Sequence, residues 1–352
     1  MTKHKKIKYY YIVGTLLFLL FSGFGMYYIR LVQDNLATAS ARYEQASVSP
    51  RMMSSALENF QYSTGMNEPS ITLWNRLEKE TVSSGITELP VETNVIETYG
   101  DMSQVLPMTF VDGNYAYVDD EEGCVLDTKT AYDLFGTVNA VNNIVVWKSK
   151  QYVVRGVAKE KDTMMAIEVA DEDHLYNNIE ADFKKKGSKM IADNQGQLLK
   201  DMLVTNGMPE PKTIIDGNRV SWLLSLLYHL PMWILAFALI LVLVKYTYRM
   251  RGSITLLVTY GMVTFILSVI VLKLVNFQIH IPAEFIPTKW SDFDFYTETY
   301  KGIKEEMVNI QNCKQMPKDI LRASLQSRCI TFSLLNVFLL ILAKFLGFTS
   351  EK

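Results

Sequence analysis

The chain has 352 residues, 49% of them hydrophobic, and a formal net charge of −2. That balance gives no electrostatic reason to expect a nucleic-acid partner. Three cysteines without a CxxC pair make neither a disulfide framework nor a zinc site. The apolar residues gather in four runs, Tyr9–Ile29, Val220–Val244, Gly252–Leu272 and Ile330–Phe348. Each is about twenty residues or more, enough for a helix to cross roughly 30 Å of hydrocarbon.

This layout predicts a membrane protein with four transmembrane α-helices, one before and three after a large extracytoplasmic α+β domain. The expected order is a cytoplasmic tail (1–8), a helix (9–29), the outer domain (30–219), a helix (220–244), a cytoplasmic link (245–251) and a helix (252–272). An outer loop with amphipathic helices (273–328), a last helix (329–348) and a tail (349–352) complete it. The first run starts with Lys3, Lys5, Lys6 and Lys8 and ends at Tyr27, Tyr28 and Arg30. It exceeds the usual signal-peptide core of about 7–15 residues and lacks an Ala-x-Ala site, so an uncleaved helix is expected. Basic residues in short segments favour the cytoplasm. The N-terminal lysines, the link residues Lys245, Arg249 and Arg251, and Lys344 and Lys352 together put both ends inside.

Within the outer domain, Leu31–Gln45 has no breaker and is expected to extend the first helix. Ser49 before Pro50 reads as a helix cap, opening a helix toward Phe60. Ile71–Glu80 places Leu73, Trp74 and Leu77 on one helical face. Val91–Tyr99, Val125–Leu126 and Thr163–Val169 read as strands. Asp127 caps a helix through Leu134 that Gly136 ends. Ile144–Trp147 and Gln151–Val157 form a hairpin across Lys148-Ser149-Lys150, and Tyr176–Lys186 and Gln197–Val204 read as helices. Asp112-Gly113 is a turn signal, Phe135-Gly136 a helix stop, and Val153, Val154 and Val157 are sheet residues; each is assigned to packing.

In the membrane half, Pro231 removes a backbone hydrogen bond and is expected to kink its helix. His229 reads either as a proton site in a translocation path or as a headgroup-level residue bonded to water. The absence of midspan Asp, Glu and Arg argues against an ion-coupled transporter. The outer loop joins Pro282 and Pro287 to an aromatic, acidic stretch, Trp290 to Tyr296. Tyr300, Ile303, Met307 and Ile310, then Ile320, Leu321, Ser324 and Leu325, recur at helical spacing. These read as interfacial helices on the membrane or as a gate or docking surface. Free thiols are expected over a Cys313–Cys329 bridge.

No GxxxxGK[ST], HExxH or GxSxG occurs, so no catalytic, cofactor or metal residues are expected and the chain is not expected to be an enzyme. Asp171-Glu172-Asp173-His174 lacks calcium-loop spacing and reads as a solvated turn. The positions left with functional potential are His229, Pro231, Lys245, Arg249, Arg251 and Trp290.

A set of short motifs resembles one family. Phe110-Val111-Asp112-Gly113, Cys124-Val125-Leu126-Asp127, Leu134-Phe135-Gly136 and Tyr152-Val153-Val154-Arg155-Gly156-Val157 follow one another over residues 89–170. With the helix layout, they resemble the MacB/FtsX-like superfamily of bacterial ABC transporter permeases and its MacB-like periplasmic core domain. The resemblance implies a bacterial plasma-membrane permease subunit, a separate ABC ATP-binding subunit, and a homo- or heterodimer with a second permease chain. It also implies mechanotransmission, in which ATP-driven helix motion reaches the outer domain. One element departs from the pattern. The inner link, Lys245 to Gly252, lacks the family's coupling Glu and Ala-x-Gly element, and the last outer loop is long. The alternative is an ATP-independent binding or scaffold protein of the cell envelope.

Overall fold

The computed structural model describes residues 3–85, 90–118, 120–183, 194–249, 254–275, 285–287, 289, 291, 293–313 and 316–350. In chain order, the first half contains α1 (Lys3–Asn35), β1 (Ala39–Arg42), α2 (Pro50–Thr64), β2 (Ser70–Ser84), β3 (Pro90–Tyr99), α3 (Met102–Val105), β4 (Phe110–Gly113), β5 (Gly123–Asp127), α4 (Thr128–Phe135) and β6 (Ile144–Trp147). The second half contains β7 (Lys150–Ala158), β8 (Met164–Glu168), β9 (Asn178–Asp182), α5 (Gln195–Thr205), β10 (Thr213–Asp216), α6 (Gly217–Arg249), α7 (Ile254–Leu274), α8 (Phe295–Asn312) and α9 (Pro317–Ser350). The chain separates into an apolar unit of Met1–Asp34, Val220–Pro282 and Ala323–Lys352, and a sheet unit of Asn35–Arg219 and Ala283–Arg322.

Among the described residues, three helices are long and apolar enough to cross a membrane: those containing Ile12–Asp34, Gly217–Arg249 and Pro317–Ala343. A fourth apolar stretch, Leu257–Lys273 in α7, is shorter. The helices interlock through small and polar residues, as expected where lipid removes any hydrophobic drive between them. Tyr228 Oη donates to the Ser22 carbonyl at 2.6 Å, and Ser333 Oγ to the Leu227 carbonyl at 2.7 Å. Asn336 Nδ2 donates to Ser22 Oγ at 3.2 Å. Phe332 stacks on Phe24 and Tyr28. A Cβ on Gly25 would sit 2.6 Å from the Tyr228 ring, so a glycine is needed for this approach.

The sheet unit is built on one mixed sheet in the order β10-β1-β9-β2-β3-β8-β5-β7-β4, with β6 bridging β2 and β7. β3–β8 and β5–β7 pair in parallel, and the other pairs are antiparallel. One core cluster packs α2 and α5 against β1 and β9. A second lies under α4, around Leu126, Val154 and Ile167. A third surrounds Trp74, Ile96 and Met164 and includes Met316.

Several local expectations hold. Ser49 caps α2, Pro50 opens it, and Gly65 ends it in the left-handed region. Asp127 caps α4, and Gly136, at φ 72°, closes it. The hairpin turn falls at Lys148 and Ser149, both at positive φ, as a two-residue turn between right-twisted strands requires. Asp112 and Gly113 end a strand: a Cβ on Gly113 would lie 2.1 Å from the Arg155 carbonyl.

Three expectations are corrected. Leu31–Gln45 is not a helical extension, because α1 stops at Asn35 and Ala39–Arg42 is a strand paired on both edges. Ile71–Glu80 lies in strand β2, and Tyr176–Lys186 contains strand β9 up to Asp182; residues 184–186 lie outside the described set. In each case inter-strand pairing on both sides satisfies the backbone and overrides local helical propensity. The loop before the last helix also does more than carry amphipathic turns. Residues up to Arg322 belong to the sheet unit, and α8 packs on β10.

Asp127 also accepts from the Met164 N–H at 2.9 Å, besides Lys129 and Thr130. Asp127→Ala therefore removes a cap and orphans a buried donor, and is expected to cost roughly 2–4 kcal/mol. Denaturant unfolding of the full chain in detergent checks this, with Asp127→Asn recovering part of the loss. Half-burial, followed by the charges of Asp127 and Asp162, pushes the Glu160 carboxyl up to about 7. A folded-state pKa raised this way contributes stability at low pH that is lost as pH rises through that value. Glu160→Gln should therefore gain in thermal midpoint on the wild type between about pH 5 and 8; a constant difference would contradict this.

Candidate functional site

Three segments of the sheet unit meet at Thr38. Gly217 N donates to the Thr38 carbonyl at 2.9 Å, at the point where β10 passes into α6. A Cβ on Gly217 would stand 1.9 Å from the Leu36 carbonyl, so no other residue fits there. Asp216 accepts from Asn218 and Arg219 N–H groups at 2.9 and 3.1 Å, capping α6, and from Gly196 N at 2.9 Å in the first turn of α5. From the start of α9, Lys318 Nζ donates to Thr38 Oγ1 at 2.8 Å, to Glu180 Oε1 at 2.5 Å and to the Gln104 carbonyl at 2.6 Å. Thr38 Oγ1 in turn donates to Glu180 Oε1 at 2.6 Å. Lys318 thus places all three of its hydrogens. The Lys318 and Glu180 side chains are 2% and 1% exposed, so the pair lies inside the sheet unit.

A second layer of charge lies beside this pair. Pro317 opens α9, and Asp319 reaches back to accept from the Met316 N–H at 3.1 Å, a capping arrangement. Asp319 also pairs with Arg42 and Arg322, each at 3.4 Å. The Arg42 guanidinium lies 4.3 Å from the centre of the Trp74 ring. Three cations (Lys318, Arg42, Arg322) face two anions (Glu180, Asp319), leaving one positive charge in excess. Burial opposes ionisation of Glu180, but Lys318, Arg42 and Arg322 outweigh it and hold the carboxyl down at about 2. Arg42 Nε and Nη1, and Arg322 Nε and Nη2, are buried without an acceptor among the described residues.

Arg42 also lines a cavity of about 220 Å³. Its walls come from the ends of β1 and β9, the middle of β2, the entry to β10 and the last turn of α8. The polar lining joins four carboxamides, Asn177, Asn178, Asn309 and Asn312, to the charged side chains of Arg42, Arg76, Lys212 and Glu44. Lys212 and Glu44 pair with each other on the wall.

The positions singled out from sequence do not converge. His229 and Pro231 lie in mid-α6, and Lys245 and Arg249 are exposed near its end. His229 and Lys245 are about 24 Å apart along the helix at 1.5 Å per residue. The His229 ring bonds locally to the Ser225 carbonyl at 2.7 Å and lies between Tyr228 and Trp233. Arg251 and Trp290 lie outside the described residues. In the acidic turn, Glu172 and Asp173 pair with Arg51, and His174 bonds Glu97 at 3.0 Å. Among the described residues no group of three or more His, Cys, Asp and Glu could hold a metal. The three cysteines are free thiols. Sequence reasoning missed Thr38, Arg42, Glu180 and Lys318. The one local signal was Pro317 followed by alternating charge just ahead of an apolar run.

Removing one partner of a buried pair leaves an uncompensated charge. Glu180→Gln and Lys318→Met are each expected to cost about 3–5 kcal/mol, whereas the double change to methionine should cost less than either single. Unfolding of the full chain in detergent measures this, and additive penalties would refute the coupling. Glu180 has a depressed pKa, so its contribution is complete above its ordinary value of 4.5 and is lost as pH falls toward about 2. The deficit of Glu180→Gln should shrink over that interval.

No protein-family model matches the sequence, and no curated protein matches it. Solved structures similar to the chain include the periplasmic region of MacB from Actinobacillus actinomycetemcomitans, at 12% identity and a TM-score of 0.41, over 53% of this chain and 92% of that one. They also include the extracellular domain of the noncanonic ABC-type transporter YknZ from Gram-positive bacteria, at 15% identity and a TM-score of 0.35, over 49% and 96%.

Proposed function

We infer that this chain is a permease-like transmembrane subunit of an ABC-type complex of the MacB/FtsX-like kind. In this reading it crosses the membrane four times, has both ends in the cytoplasm, and holds the sheet unit outside. The apolar stretch Leu257–Lys273 supplies the remaining crossing. ATP is hydrolysed on a separate subunit, and the chain has no catalytic activity of its own. Two permease chains assemble, and helix motion is passed to the outer domain.

The observation that carries this reading is the convergence on Thr38. α1 leads into β1 through Leu36 and Thr38, α6 starts at Gly217, and α9 starts one residue before Lys318. The roots of α6 and α9 both hydrogen-bond to Thr38, which follows the end of α1 by three residues. A displacement of any of these helices along its axis would enter the sheet at β1, β9 and β10. A binding or scaffold protein has no need to join three apolar helices at one buried ion pair. The inner link, without the coupling Glu, favours the second reading, an ATP-independent envelope binding protein.

Affinity capture of the tagged full chain from native membranes in mild detergent is expected to recover a nucleotide-binding subunit, with ATPase activity in the eluate. A cysteine at position 150 should react with impermeant reagents on intact cells. Capture without any nucleotide-binding chain across several detergents would shift the conclusion to the second reading.

A further inference from the structure

We propose that α8 is a membrane-surface anchor: its exposed stripe of Tyr296, Tyr300, Lys304 and Met307, led by Phe293, rests in the headgroup layer of the lipid bilayer. The proposal rests on the membrane crossings inferred above and is independent of the ATP-driven role.

The stripe follows from spacing. Tyr296, Tyr300, Lys304 and Met307 succeed one another by four, four and three residues, so they share one face of α8. Phe293, Tyr296, Tyr300 and Met307 are 88%, 61%, 68% and 55% exposed. The helix already has a packing face, and the stripe is not on it. Phe295, Thr299, Ile303 and Ile310 are half-buried, and Cys313 Sγ, just past the helix, lies 4.0 Å from Thr213 Oγ1 of β10. Gly302, Glu305 and Asn309 line another cavity together with residues of β10.

Three arguments select lipid as the occupant over a protein. The first is composition. Phenylalanine and tyrosine rings with a lysine among them suit the headgroup layer, where the ring is buried and the phenol or ammonium reaches water. Lys301 flanks the stripe, whereas Glu298 and Glu305 are turned from Tyr300 by about 160° and 140°, at roughly 100° per residue. The side that carries the rings is therefore the basic side, which favours anionic headgroups. The second is area. The exposed rings and Met307 offer on the order of 500 Å². That exceeds the scatter of single exposed apolar residues but falls short of the roughly 800 Å² per partner in a stable protein interface. The third is continuity. In the chain, α8 is joined to an apolar helix on each side: residues 275–294 lead from α7, and residues 313–316 lead to α9, whose apolar run starts at Ile330, about 20 Å of helix past Pro317. A surface tethered at both ends to segments in lipid meets the bilayer at high effective concentration.

The test uses the full chain, one copy per nanodisc, in phosphatidylcholine with phosphatidylglycerol. Cys313→Ser removes the partly exposed native thiol, while Cys124 and Cys329 are buried. Spin labels are placed one at a time through Tyr296→Cys, Tyr300→Cys, Met307→Cys, Glu298→Cys and Glu305→Cys, with Leu334→Cys in α9 as the lipid reference. Collision with oxygen, which concentrates in lipid, is compared with collision with a water-soluble nickel chelate. The expected result is an excess of oxygen collisions at 296, 300 and 307 and an excess of nickel collisions at 298 and 305. With the label at 307, Tyr296→Ser/Tyr300→Ser should abolish the oxygen excess; both side chains are exposed, so the sheet unit keeps its core. Nickel access at 296, 300 and 307 equal to that at 298 would overturn the proposal. Shielding of the stripe from both reagents would also overturn it, by showing a protein partner there. A lipid-exposed label at 334 with a water-exposed label at 300 refutes this proposal alone, whereas water exposure at 334 refutes the membrane crossings as well.

Discussion

The sheet unit depends on the burial of Lys318 against Glu180. Taking an ammonium and a carboxylate out of water is expensive, and their attraction offsets that cost only when the remaining hydrogens and lone pairs are also met. Here they are: Thr38, Gln104 and Glu180 take the three lysine hydrogens, and Thr38 gives Glu180 a further donor. An arrangement this constrained contributes little net stability over a well-packed apolar alternative. What it contributes is discrimination. Lys318 satisfies its charge in one position only, so the start of α9, the end of α3 and the centre of the sheet are fixed relative to one another.

Glu180 sits in β9 opposite Ser40 of β1 and Thr72 of β2. A charge at the middle of a three-strand ladder would ordinarily break it. Small hydroxylic neighbours on both sides leave room for the lysine to arrive, and Ser40 turns its own hydroxyl to the Ile179 carbonyl at 3.2 Å. The same logic accounts for Gly217: the backbones of β10 and of the segment before β1 approach too closely for any side chain. Charge, small residues and close backbone approach are one constraint seen from three positions.

Local signals made part of this fold legible. Asp127, Gly136, Ser49-Pro50 and the Lys148-Ser149 turn each act through the nearest few residues, and each does what its chemistry predicts. The apolar runs were legible for a similar reason, since length and hydropathy are properties of a single segment. β1, β2 and β9 were not. Thr72, Leu73, Trp74 and Asn75 are buried in succession, as are Asn178 to Ala181, so the alternation that marks a half-exposed strand is missing. Ala39–Arg42 is made of good helix formers held extended by partners about 140 and 175 residues away in sequence, where local propensity is a weak prior. The candidate site was hidden for the same reason. Thr38, Glu180 and Lys318 are unremarkable singly, and 138 residues separate the two charges.

β1 shows why the site and the fold cannot be adjusted independently. Successive residues of a strand face opposite sides. Ala39 and Ala41 enter the core cluster beneath α2 and α5, where anything larger would displace neighbours. Thr38, Ser40 and Arg42 follow the other parity and carry the polar contacts. A slip of one residue would exchange the two sets, pushing Arg42 into an apolar core and leaving alanine opposite Lys318. Register is therefore specified from both faces at once, by packing on one and by charge on the other. Arg42 ends this strand with one nitrogen tied to Asp319 and two unanswered. The core fixes where the guanidinium stands, and the ion pair with Asp319 prevents it from withdrawing.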